Sequence, residues 1–183
     1  MQSLPQPGGV GSIAIQLAKI AGCKTIGIAG GPRKTAVLRE KLGVEIALDY
    51  KNTDLASHLT SAAPKGINVF FDNVGGDVLD AVLINLAKFG RVAVCGGIGG
   101  YDKAETVVRN TTLLTQKNGL VQGFWYSDYE HIFERALDSM SDWILSGELQ
   151  EFTDVAKGFE SVPRSARGIF SGENLGKQLV ELF

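Results

Sequence analysis

Apolar positions along this chain switch back and forth between two spacings, and glycines mark the switches. Ile13, Ile15, Leu17, Ala18 and Ile20 follow Gly8-Gly9-Val10-Gly11-Ser12 at helical spacing and predict a helix over 9–21 that stops at Gly22. Lys24–Ala29 is a β-branched run that reads as a strand. The same reasoning gives a helix over 32–42 halted by Gly43, and a short strand over 45–48. A helix follows over 55–63, with Asn52, Thr53 and Asp54 as cap candidates, then a buried strand over 67–71. A helix over 77–87 and a buried strand over 91–95 come next. Further on, the pattern predicts a helix over 106–116, a strand over 119–124, a long amphipathic helix over 129–145 closed by Gly147, and a last strand over 178–182. Such alternation favours an α/β fold, a Rossmann-type doubly wound parallel sheet with crossover helices. The expected division is a nucleotide-binding domain over 1–147 and a short return segment of a second domain over 148–183.

The glycine cluster is the loop-to-helix half of a dinucleotide-binding βαβ unit. Close glycines let the backbone approach a pyrophosphate, and the helix start offers free N–H donors and a positive dipole end. Gly8, Gly9, Val10 and Gly11 are therefore candidate cofactor-binding residues. The apolar strand that should precede them is not evident. Residues 1–7 read Met-Gln-Ser-Leu-Pro-Gln-Pro, and two prolines among polar residues do not suit a central strand. The expectation is a sheet lacking its first strand, in a chain truncated at its N-terminus.

Composition narrows the class. Hydrophobic residues make up 44% of the 183 positions and glycines number 23, which excludes a disordered chain and fits many tight strand–helix turns. A formal net charge of -2 gives no basic surface for nucleic acid or anionic lipid. No apolar run approaches the ~20 residues that span a bilayer. Cys23 and Cys95 form no spaced pair, and reduced thiols in a cytoplasmic protein are the expectation. His58 and His131 fit no zinc-ligand spacing, and neither a hydrolase elbow nor a phosphate-binding Gly-Lys-Ser/Thr loop occurs.

The second chemical signal lies about 20 residues past the glycine loop, where an NAD-preferring fold places an acid on the adenosine ribose. Here the strand ends Ala29-Gly30-Gly31 and is followed by Pro32-Arg33-Lys34. Two cations in the first turn of a helix oppose its dipole. An anion such as the 2′-phosphate of NADP would offset that, and solvated surface cations are the other reading.

Taken in order, Gly8–Ser12, Gly27–Gly31, Lys34, Asp49-Tyr50-Lys51, Phe71–Gly76, Val94-Cys95-Gly96 and Gly172–Lys177 resemble the zinc-independent medium-chain reductases of the prostaglandin reductase (leukotriene B4 12-hydroxydehydrogenase, alkenal/one oxidoreductase) group. The resemblance runs from residue 8 to 183. It departs at Pro5-Gln6-Pro7, and the family's larger N-terminal catalytic domain has no counterpart in the sequence. It implies NADPH-dependent reduction of the carbon–carbon double bond of enones and alkenals, in a homodimer, on a small-molecule substrate. By the same resemblance Lys34 meets the 2′-phosphate and Tyr50 the adenosine end, while Asn73 lies near the cofactor's middle. Cys95, Gly96 and Gly97 line the nicotinamide side. Tyr101 lies near the nicotinamide ribose and the substrate, and is the candidate catalytic residue. Phe124 and Trp125 face the nicotinamide pocket, although the family more often has an aliphatic residue at 125. Asn174 reaches the cofactor from the returning C-terminal segment.

Read without the family, these residues have plainer roles. Tyr50 serves as a strand cap, Asn73 as a turn residue, Tyr101 as a loop tyrosine, and Phe124 and Trp125 as core or interface aromatics. Cys95 reads as a small buried side chain rather than a nucleophile. Two rival functions stay open: a non-catalytic cofactor-binding or dimerisation module, and a quinone reductase of the same superfamily. Because the substrate cleft of the family lies between two domains, the chain alone is expected to lack activity.

Overall fold

The computed structural model describes residues 2–3, 8–97 and 108–183. Its first half follows the alternation read from the sequence: β1 (Gln2–Ser3), α1 (Gly9–Ile20), β2 (Lys24–Ala29), α2 (Pro32–Glu40), β3 (Ile46–Asp49), α3 (Leu55–Ala62), β4 (Ile67–Asp72) and α4 (Gly76–Ile84). β5 (Leu86–Val94), α5 (Leu113–Lys117), β6 (Leu120–Gly123), α6 (Phe133–Leu145), β7 (Thr153–Lys157), α7 (Val162–Ser171) and β8 (Lys177–Glu181) complete it.

All strand pairs are parallel. β3, β2 and β1 pair in that order, as do β4, β5 and β6. β1 also comes against β4, so the six strands run 3-2-1-4-5-6, the doubly wound order. The sequence reading allowed no strand before the glycine loop. The structure corrects it to this extent: among the described residues Gln2 and Ser3 pair with Lys24 and Thr25, so a first strand is present. Two residues need little intrinsic strand preference when a neighbouring ladder supplies the partners.

Strand β2 explains why both faces are covered. Ile26 and Ile28 point into one core with Leu59 of α3, Val82 and Leu83 of α4, and Ile67, Leu86 and Val92 of β4 and β5. Ala29 turns to the other face, where Ile15, Leu38, Leu42, Val44 and Ala47 gather. Gly27 shares that second face, and a Cβ there would stand 2.8 Å from Leu38 Cδ1. The strand gives up a side chain so that α2 can sit close.

Several boundaries differ from expectation. The helix expected to reach 87 ends at Ile84, because the Asn85 side chain donates back to the Ala81 and Ala56 carbonyls (both 2.9 Å) and β5 starts at once at Leu86. Of the helix expected over 106–116, only Leu113–Lys117 is helical among the described residues. The helix expected from 129 begins as a 3-10 turn over Tyr126–Ile132 and becomes α-helical at Phe133. Beyond Gly147 the chain carries a separate two-stranded parallel sheet, β7 with β8 across α7, where the sequence reading anticipated only a final strand. This segment is fastened to the first half at two points. Gln16 and the Gln150 peptide bond to each other, and Gly8 pairs with Gly176 in a parallel bridge.

Candidate functional site

The C-terminal ends of β2, β3 and β4 open on one cleft of about 1280 Å³, the position where open α/β sheets take ligands. Three helices start around it on glycine (Gly8, Gly31 and Gly75), each without a side-chain cap on its first-turn amides. Helix α3 differs: Asp54 accepts from Ser57 N (3.3 Å) and caps it. Uncapped amides and positive dipole ends suit an anionic ligand.

Of the residues singled out from sequence, Gly8, Gly9, Val10, Lys34, Tyr50, Asn73 and Asn174 line this cleft. Gly11 lies buried behind them in the first turn of α1. Gly9 is spaced against the C-terminal segment: a Cβ there would stand 3.3 Å from Lys177 Cα. The returning strand thus packs directly on the glycine loop. Asn174 donates from Nδ2 to the Gly176 carbonyl at 2.8 Å, which shapes the turn before β8.

Lys34 reaches the cleft from α2, while Arg33 beside it is exposed and outside the lining. Tyr50 and Lys51 come from the turn after β3 and close on Gly30. A Cβ at Gly30 would meet Lys51 Cε at 2.9 Å and Tyr50 Oη at 3.0 Å. Gly172 of the C-terminal segment lies against Lys34, where a Cβ would stand 3.2 Å from Lys34 Nζ. Burial, then the charges of Lys51 and Arg33, push the Lys34 ammonium below the usual lysine range. Among the described residues, none of these three cations is in an ion pair.

The sequence reading found no acid at the end of β2. The structure supplies one from the neighbouring strand. Asp49 Oδ1 accepts the Gly31 amide at 2.8 Å and the Lys51 amide at 3.0 Å, and Oδ2 accepts Asn52 Nδ2 at 2.7 Å. Burial favours its neutral form, but these hydrogen bonds and the Lys51 charge outweigh that and hold the carboxyl below the usual range.

At the β4 end, Asp72 Oδ1 accepts the Val74 and Gly75 amides (3.0 and 2.9 Å) and fixes the turn that presents Asn73. Asn73 lies over Gly96, where a Cβ would stand 2.9 Å from its Oδ1. Cys95 donates its amide to the Asp72 carbonyl at 2.7 Å, and Gly97 Cα lies opposite Gly75. These three residues adjoin the cleft behind Asn73 rather than lining it. Burial raises the Cys95 thiol pKa, which suits a packing residue. Phe124 packs on Phe71 and edge-on against Tyr129 (centroids 6.3 and 6.2 Å), and Trp125 lies exposed on Tyr126. Neither lines the cleft. Tyr101 lies outside the described residues.

Sequence reasoning passed over Lys51, Asp49 and Lys177 as individual functional residues. It also missed Arg109, whose Nη1 meets Asp77 Oδ1 at 3.2 Å and Asp80 Oδ2 at 3.4 Å beside the cleft. The signal for the first two was present in Asp49-Tyr50-Lys51, a triplet at the tip of a strand. Among the described residues, no three His, Cys, Asp or Glu side chains gather where they could hold a metal ion.

A 2-alkenal reductase (NADP(+)-dependent) of Nicotiana tabacum is 41% identical over 175 residues, 94% of this chain and 51% of the relative. Prostaglandin reductase 1 of Bos taurus is 37% identical over 178 residues, 95% of this chain and 54% of the relative. The crystal structure of CurA from Vibrio vulnificus in complex with NADPH superposes with a TM-score of 0.91 at 31% identity, covering the whole chain and 56% of CurA. The chain spans about half the length of these relatives. The model of the zinc-binding dehydrogenases matches residues 9–142, and the chain belongs to that family.

Proposed function

We propose that this chain binds NADPH in the cleft and forms the cofactor wall of an enone reductase. One observation carries the reading: a cation group from two separate turns, with no acid paired to it among the described residues, sits at the end of a cleft whose middle is a glycine loop at a helix start. The spacing suits a dinucleotide bearing an extra phosphate. Lys34 and Tyr50 would hold the adenosine 2′-phosphate end, and the amides of Gly9 and Val10 the pyrophosphate. Asn73 and Asn174 would lie toward the nicotinamide half. Residues 148–183 are assigned to the return segment of a second domain.

When bound, NADPH supplies a hydride for the β-carbon of an α,β-unsaturated ketone or aldehyde. The chain's own residues would hold the dinucleotide by the lysine charges at the adenosine phosphate and by the Gly9 and Val10 amides at the pyrophosphate. Fixing the donor in this way removes orientational freedom before substrate arrives. The names of the tobacco and bovine relatives support this class of substrate, and Tyr101 is the residue assigned to the ribose and the enolate oxygen.

The test is a fluorescence titration of the protein with NADPH and with NADH. Tighter binding of NADPH is expected, and equal affinities would overturn the reading. Turnover is measured as NADPH loss with a simple alkenal, in the chain joined to a family-type N-terminal domain. There Tyr101→Phe is expected to lower the rate; an unaffected rate would reduce Tyr101 to a structural role.

A further inference from the structure

We infer that Lys51 is a second phosphate-binding cation for the 2′-phosphorylated cofactor, and that Asp49 is the positioning residue that aims it. The inference rests on the cofactor reading above and deepens it by giving Lys51 and Asp49 their own roles at the phosphate.

Lys51 and Lys34 come from different turns, yet both line the cleft, and Asp49 Oδ1 joins the two turns by accepting the Gly31 and Lys51 amides. The Lys51 stem passes within 2.9 Å of where a Gly30 Cβ would lie, while the Lys34 ammonium is 3.2 Å from the corresponding point on Gly172. Like charges brought together repel, and the depressed Lys34 pKa records that Lys51 is near enough to matter. Lysines near each other and near Arg33, with no ion pair among the described residues, are a cost to the empty protein that a dianionic phosphate removes.

Asp49 has the opposite sign and stands next to this group, where a carboxylate would repel a phosphate. Its hydrogen bonds explain why it is there. A single oxygen, Oδ1, receives the amides of both Gly31 and Lys51. It therefore ties the turn that starts the Lys34 helix to the turn that carries Lys51. Gly31 holds φ 93°, which glycine adopts without a Cβ clash, and its amide is aimed at Asp49 Oδ1. Asp49 sets the distance between the two cations; Oδ1 bonds only backbone amides and Oδ2 only the Asn52 side chain, so neither lysine ammonium is hydrogen-bonded to it.

This separates position from charge. Asp49→Asn keeps an oxygen for the two amides and removes the negative charge; Asp49→Ala removes both. The NADPH and NADH affinities of the purified protein are measured for the unmutated chain, Lys34→Ala, Lys51→Ala, Asp49→Ala and Asp49→Asn. Lys65→Ala serves as the charge control, one length of α3 away from the cleft-lining Leu55. The expected result is that Lys51→Ala weakens NADPH about tenfold or more while NADH changes less than about twofold. Asp49→Ala is expected to lose a similar share of the preference, and Asp49→Asn to retain it. An unchanged NADPH-to-NADH ratio in Lys51→Ala overturns the role of Lys51. Equal behaviour of Asp49→Ala and Asp49→Asn overturns the positioning role. If the unmutated chain itself shows no preference, the cofactor reading fails; if it shows one that Lys34→Ala abolishes and Lys51→Ala does not, only the present inference fails.

Discussion

Gln16 and Gln150 hold each other reciprocally across the molecule: Gln16 Nε2 donates to the Gln150 carbonyl at 2.9 Å, and the Gln150 amide donates to Gln16 Oε1 at 2.8 Å. Gln16 is buried in α1, and Leu149 beside its partner is 2% exposed. Gln16→Ala leaves both groups of the Gln150 peptide without their partner. The expected loss is about 1–3 kcal/mol, read as a lower urea midpoint at unchanged slope.

Asp80 does similar work for the segment that returns to the cleft after residue 107. It accepts the Arg109 amide at 2.8 Å and the Asn110 amide at 3.0 Å, and its side chain is 8% exposed. Asp80→Ala is expected to cost about 1–3 kcal/mol and to speed amide exchange at Arg109 and Asn110. Exchange unchanged at those two amides would show that the segment is held by other contacts.

The depressed Lys34 pKa gives NADPH binding a pH signature. A phosphate binds the ammonium and not the neutral amine, so affinity is full near neutral pH, where the phosphate is dianionic, and falls as pH rises through the Lys34 pKa of the free protein. That decline is expected to begin below the usual lysine range. NADH, lacking the phosphate, is expected to bind with a flat profile over the same window, and Lys34→Ala to flatten that of NADPH. Titrations from neutral to alkaline pH check both.

Asp72 shifts the other way. It is fully buried, burial raises its pKa above 3.8, and its Oδ2 has no hydrogen-bond partner among the described residues. Between 3.8 and the raised value the folded state binds more protons than the unfolded one, so stability falls as pH rises through that window. Asp72→Asn keeps the acceptor for Val74 and Gly75 and has no proton to lose. Its stability is expected to change less over the same pH range, as read from urea midpoints at acid and neutral pH.

Much of the sheet and part of the site were legible because their signals are local. Lys24–Ala29 announced itself by β-branching, and the glycine loop by its spacing before Ile13 and Ile15. Lys34 was legible because a cation in the first turn of a helix is out of place by charge alone. Lys51 was not, since nothing local tells a lysine after a strand from a solvated one; its meaning comes from Gly30, a residue of another strand end. Asp49 was hidden for the same reason, its partner Gly31 being 18 positions away. β8 was legible as a final strand, but β7 and α7 escaped: β7 has only five residues and alternates exposed with half-buried positions, which leaves no continuous apolar run.

The bridge between Gly8 and Gly176 gives the cleft an order of assembly. Its walls come from the two extremes of the described chain, and the Gln16–Gln150 clasp beside it already spans 134 positions. Contacts this distant in sequence carry the largest closure entropy and form late, after the local βα units have gained their own contacts. A dinucleotide in the cleft binds only chains that have made that closure, so it draws the population toward them by mass action. Cofactor supply would then set not only the occupancy of the site but also the fraction of molecules in which the site exists.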